Sequence, residues 1–176
     1  MRERIRDALE SVPRERFLVY VMGPYTSVSG DDGEQFDRLA TLRDRLRTES
    51  GVNAFLATDP EIPLEELDAA TQTIAFARAS NAVIFVLPRT GDNLGVGVEV
   101  GAVLEDSYES EASERADRTA VIHQSGVTSA MLAGVTRRWD ATVYAYDDEA
   151  TLTRRAKTFV ANVIAAEETG RLARLE

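Results

Sequence analysis

The stretch NLGVGVEVG, residues 93–101, sets three glycines and three valines around a single carboxylate, Glu99. Gly95 and Gly97 let backbone approach a ligand closely, and at a helix start their amides favour an anion such as phosphate. Glu99 falls where the helix is expected to begin. There the positive helix end would keep it ionised, as a carboxylate nucleophile must be. A dinucleotide fingerprint does not fit, because Gly95-Val96-Gly97 is followed by Val98, Glu99 and Val100. A phosphate loop of the Walker type is excluded by the lack of a lysine. The plain alternative is a turn that needs glycine for its conformation and a surface glutamate on a first helical turn. The stretch alone leaves both open.

The elements that would position these residues follow from periodicity. FLVYVMG (17–23), VNAFLA (52–57), NAVIFVLP (81–88), TAVIHQ (119–124) and ATVYAYD (141–147) read as strands. Between them, residues 33–50, 62–80 and 94–110 carry helical spacing, the last starting loose. A charged linker, EASERADR, comes before the fourth strand; a short helix around VTSAMLAGV and a long one from Glu149 to Glu168 follow. Alternation of buried strands with helices predicts a flavodoxin-like (Rossmann-like), doubly wound α/β fold. Its five parallel strands should run in the order 2-1-3-4-5. Residues 1–15 read as an added N-terminal helix and 16–170 as the α/β domain. In such sheets ligands bind beyond the carboxyl ends of the strands where the order reverses, here between strands 1 and 3. Both glycine-rich loops, GPYTSVSGDDG (23–33) and PRTGDNLGVG (88–97), fall at that point. That convergence favours a pocket over a plain turn.

Composition narrows the class further. The 176 residues hold 30 acids against 20 basic residues, a net charge of −10, and Lys157 is the only lysine. A surface of that kind suits a cytoplasm with molar salt, where screening weakens like-charge repulsion, and makes a halophilic archaeon the expected source. A GC-rich genome would also explain the arginine bias. With no basic stripe interleaved with aromatics, nucleic acid is not an expected partner. There is no cysteine, which removes disulfides and thiolate chemistry and fits a cytoplasmic location. No run of 18 apolar residues could span a membrane, and the N-terminus is too charged for a secretory signal. His123 reads as a polar strand terminus, Trp139 as packing at a sheet edge, and Arg137 and Arg138 as solvated surface.

The segment around Glu99 resembles the nucleoside 2-deoxyribosyltransferase superfamily, whose pattern runs D-x-G-T-x-x-E-L-G. It is nearer to the branch of 2'-deoxynucleoside 5'-monophosphate N-hydrolases. VYVMGPY (19–25) is similar to that family's opening strand and loop, and QSGVTSAMLAGV (124–135) to its S-A-M-I segment. The resemblance implies Glu99 as the nucleophile at the anomeric carbon and Tyr20 as the hydroxyl that orients it. Gly23, Pro24 and Tyr25 would line sugar and base, with Asn93, Gly95 and Gly97 opposite. Ser129, with Met131 beside it, would reach the partner's site in a homodimer. The implied ligand is a nucleoside or its monophosphate, with no cofactor and no metal. The implied chemistry is a retaining displacement through a covalent glycosyl-enzyme.

The chain departs from that pattern on the helix before strand 3. Thr73 stands where these enzymes carry an aspartate that protonates the leaving base, and Asn81 replaces a second aspartate. The nearest aspartates are Asp59 and Asp68, and Asp31, Asp32 or Asp92 could supply the proton from a loop. Three readings follow: an N-glycosidase or deoxyribosyl transferase, a nucleotide-binding sensor that kept the pocket without its acid, and an NAD-cleaving domain of related topology.

Overall fold

A computed structural model describes residues 1–9, 12–24, 32–62, 68–89, 93–109, 114–127 and 130–175. Its strands are β1 (Arg14–Met22), β2 (Val52–Phe55), β3 (Ala82–Leu87), β4 (Thr119–Gln124) and β5 (Thr142–Tyr146). They form one parallel sheet in the order β2-β1-β3-β4-β5, the predicted topology. The helices are α1 (Arg2–Ala8), α2 (Asp32–Ser50), α3 (Ala69–Ala79), α4 (Asn93–Glu109), α5 (Glu114–Asp117), α6 (Ala130–Trp139) and α7 (Glu149–Glu168).

Alternation along β1 explains the two layers. Val19 and Val21 point to one face, where Leu39, Leu42 and Leu46 of α2 meet Leu152, Ala156, Phe159 and Val160 of α7. Leu18, Tyr20 and Met22 point to the other, under Ile5 of α1, Phe76 of α3, Val96, Val100 and Leu104 of α4, and Val135 of α6. The chain leaves β1 for the first face and β3 for the second. The helices that follow two neighbouring strands thus diverge, the arrangement beside which ligands bind in sheets of this kind.

Several boundaries differ from the sequence expectation. β1 starts at Arg14, three residues early, because β2 pairs with it from that point through Arg14 and Val52. The N-terminal helix is short, yet Ile5 is fully buried, so α1 is part of the core rather than an appendage. A turn of helix, α5, interrupts the charged linker. The helix expected over 62–80 is described from Ala69, where Asp68 caps it by accepting the Thr71 amide at 3.0 Å.

The base of the sheet is tied by a buried polar cluster. Asn81 Oδ1 accepts from the Leu18 amide at 2.9 Å and from Arg2 at 2.8 Å, and its Nδ2 donates to Glu167 at 2.9 Å. Arg118 donates to the same Glu167 oxygen and to the Asn81 carbonyl. Asn81 is therefore a structural hub joining β1, β3, α1 and α7. Among the described residues no helix is long and apolar enough to cross a membrane.

Candidate functional site

Glu99 lies on α4, but not at its beginning. The helix starts at Asn93, six residues earlier, and its dipole field fades within the first turn. Half-burial raises the Glu99 pKa above the ordinary glutamate value, and desolvation is the cause. The expectation that the helix end holds Glu99 ionised is therefore corrected. Burial acts on it in the opposite direction, because a shielded carboxylate loses hydration.

The helix also changes what the glycines do. The Gly97 amide is four residues past Asn93, so it is committed to the helical ladder, whereas Gly95 lies among the first open amides. Each helical glycine costs roughly 1 kcal/mol relative to alanine. Gly101 has no neighbour that a Cβ would strike, so packing does not require it. This helix therefore gives up stability over its first turns.

Tyr20 stands near the carboxyl end of β1 at 1 % exposure, in the apolar cluster that holds Val96 and Val100 of α4. Its ring stacks on Phe55 with centroids 5.1 Å apart and meets the edge of Phe76 at 5.5 Å. Strand β1, the end of β2 and α3 thus fix the ring on the α4 side of the sheet, where Glu99 also lies. The two aromatics were not singled out in the sequence; Phe76, on the apolar stripe of its helix, was the available signal.

Gly23 closes β1 under a steric demand. A Cβ there would come 2.9 Å from Leu39 Cδ2 and 3.0 Å from the Val86 carbonyl oxygen. Pro24 beside it is buried. Tyr25 and Ser129 lie outside the described residues, as do Asp31 and Asp92. The backbones of Asn93, Gly95 and Met131 are helical. At the next strand junction, the Arg89 amide donates to Gln124 Oε1 at 2.9 Å and ties the ends of β3 and β4.

The two aspartates nearest to Thr73 in sequence have other work. Asp59, 3 % exposed, pairs with Arg43 and Arg47 of α2 and accepts the Leu56 amide at 3.0 Å. Asp68 is the cap of α3, and the Thr71 hydroxyl and amide hold its pKa below the usual range. Thr73 itself is buried at 5 % exposure. Beside it, the Gln72 Nε2 is buried and has no partner among the described residues, one turn before Phe76. His123 bonds the Gln124 carbonyl at 3.1 Å, and Arg138 and Trp139 both donate to Glu105.

A family model described as a domain of unknown function, DUF7509, matches residues 28–176. The chain belongs to that family. No curated protein matches the sequence. Among solved structures, the DUF7509 chain is similar to the CMP N-glycosidase BcmB of Clostridium botulinum. That match has 11% identity and a TM-score of 0.54, over 81% of this chain and 98% of the other. It is also similar to the SEFIR domain of IL-17 receptor B, with 14% identity and a TM-score of 0.55, over 85% and 96% of the two chains. At such identities the likeness is one of fold. A glycosidase and a receptor domain share it, so the choice of activity rests on the residues at the crevice.

Proposed function

We propose that this DUF7509 chain binds a nucleoside or nucleoside 5'-monophosphate at the crevice between β1 and β3 and cleaves its N-glycosidic bond, with Glu99 as nucleophile. The carrying observation is a half-buried carboxylate on a glycine-rich helix, set on the same side of the sheet as the packed ring of Tyr20. The resemblance to the nucleoside 2-deoxyribosyltransferase superfamily, and its hydrolase branch, agrees with this reading. So does the fold shared with a CMP N-glycosidase.

The chemistry follows from the environment. As the base departs, positive charge develops at the anomeric carbon. A carboxylate shielded from water attracts that charge more strongly than a solvated one does. The Glu99 oxygen bonds to the sugar carbon as the bond to the base nitrogen breaks, and water or a second base then displaces the glutamate. A homodimer, completed by the segment around Ser129 and Met131, is part of the proposal, and scattering in solution tests it.

One observation favours the sensor reading. Asp59 and Asp68 are committed elsewhere and Thr73 carries no proton donor of suitable acidity. Loss of a general acid removes a factor of about 10²–10⁴ in rate. Incubation with a panel of deoxynucleosides and their monophosphates decides between the two. Release of free base supports the enzyme. A raised melting temperature without base release supports the sensor, because a ligand that binds only the folded state stabilises it.

A further inference from the structure

We infer a second ligand site at the opposite end of the sheet, for an organic phosphate with an apolar body. A cleft of about 340 Å³ opens there between the start of β1, the last turn of α7 and the tail after it. Arg14, Arg16 and Arg174 line it, with Phe17, Ile164 and Leu175 as an apolar floor. Six residues of extended β1 separate Arg16 from Met22, roughly 20 Å, so the cleft is remote from Glu99.

Charge makes this place unusual for the chain. Behind the wall, Arg2 and Arg118 converge on Asn81 and Glu167. Among the described residues, three guanidinium groups (Arg14, Arg16 and Arg174) and two carboxylates (Glu167 and Glu168) line the cleft, with Arg2 and Arg118 behind it. Glu168 is paired with Arg14 at 3.1 Å and Glu167 with Arg118 at 2.5 Å. Arg16 and Arg174 have no ion pair or side-chain hydrogen bond among the described residues, in a protein with ten more acids than bases. Burial and the neighbouring Arg6 and Arg118 depress the Arg2 pKa, against the opposing pull of Glu167. Arg16 and Arg174 thus bring to the cleft positive charge that no acid among the described residues pairs.

The wall is also rigid. Asn81, 1 % exposed, is held by Leu18, Arg2 and Glu167, and the Leu175 carbonyl accepts from Arg2 at 2.8 Å. Two forked cations on a fixed apolar floor match a phosphoryl group attached to a flat or aliphatic body. A solvated inorganic ion would use the cations and leave the floor idle.

Phenyl phosphate is the probe, titrated into the labelled protein while amide resonances are followed by NMR. Saturable shifts are expected at Phe17, Asn81 and Leu175, with inorganic phosphate binding about tenfold more weakly because it buries no apolar surface. The double variant Arg16→Glu/Arg174→Glu should lose roughly a hundredfold in affinity. Both side chains are exposed, and retained amide dispersion confirms the fold; Arg137→Glu, on α6, is the charge control and should bind as wild type does. The site is overturned by the absence of saturable shifts in the cleft, by unchanged affinity in the double variant, or by equal affinity for inorganic phosphate.

Discussion

Arg78 on α3 holds Asp106 on α4 through two hydrogen bonds, Nε to Oδ2 at 3.0 Å and Nη2 to Oδ1. Both helices run back along the same parallel sheet. Seven residues before this pair, two turns nearer the carboxyl ends of the strands, stand Thr71 and Glu99. Glu99 therefore lies on the side of α4 that looks toward α3, the side where Phe76 meets Tyr20. Partly exposed, the pair adds little to stability. Its consequence is register, since it aligns the helix carrying the carboxylate with the helix carrying Thr73.

Glu99→Gln tests the proposed chemistry directly. The substitution removes the attacking oxyanion and preserves the side chain's volume. Base release should fall by at least about a thousandfold, while the nucleotide-induced rise in melting temperature stays near its wild-type size. Base release at the wild-type rate would remove Glu99 from the mechanism.

The same variant carries a pH signature. Desolvation raises the Glu99 pKa, so the folded chain holds that proton more tightly than the unfolded chain does. The ionised group then destabilises the fold as pH rises above the ordinary glutamate value of about 4.3. Glu99→Gln should melt higher than wild type at pH 7, and the difference should vanish toward pH 4. Melting curves across that range check it. A difference independent of pH would mean that burial does not set the titration of Glu99.

Thr73→Asp restores an acid at the position that resembles the family's proton donor. Thr73 is buried, so an added carboxylate meets a desolvation cost of about 1–3 kcal/mol or more when ionised. Its folded pKa should be raised, and the variant should lose stability as pH increases from 4 to 8. A general acid needs that raised pKa. A gain in base release between pH 5 and 7, followed by chromatography, is the expected result. No gain, with ligand-induced stabilisation intact, would place the missing step elsewhere.

Gly23→Ala separates packing from ligand contact at the end of β1. The new methyl would crowd Leu39 and the Val86 carbonyl, at 2.9 and 3.0 Å. A loss of about 1–3 kcal/mol in unfolding free energy by denaturant titration is expected. Unchanged stability would show that the contact relaxes freely.

Asn81→Leu addresses the base of the sheet. It deletes the bonds to the Leu18 amide, Arg2 and Glu167, and leaves their buried groups unpaired. A loss of roughly 3–5 kcal/mol is expected, or about 6–20 °C in melting temperature for a domain of this size. A shift below a degree or two would show that Arg118 and water take over its role.

How much of this was legible in the sequence depends on the range of the interaction. The order of β2-β1-β3-β4-β5, with its reversal between β1 and β3, follows from local alternation and the handedness of crossovers, both of which a linear reading contains. So does the placing of Tyr20 near the strand end. The start of α4 was misjudged because glycine lowers local helix propensity, whereas packing of Val96, Val100 and Leu104 on the sheet carries the helix through those glycines.

Charges were the least legible. Asp59 and Asp68 are the same residue type, nine positions apart in sequence. Only the folded chain makes one a partner for Arg43 and Arg47 and the other a helix cap. The protonation preference of Glu99 likewise comes from surrounding volume, not from neighbours in sequence. Periodicity encodes which face of an element is apolar. It does not encode which polar atoms meet, because pairs such as Arg43 and Asp59 come from different elements of the fold. By itself the sequence determined the sheet and its order. The tertiary structure decided which carboxylates are paired, which cap a helix and which is half-buried, since burial and pairing are properties of packed space.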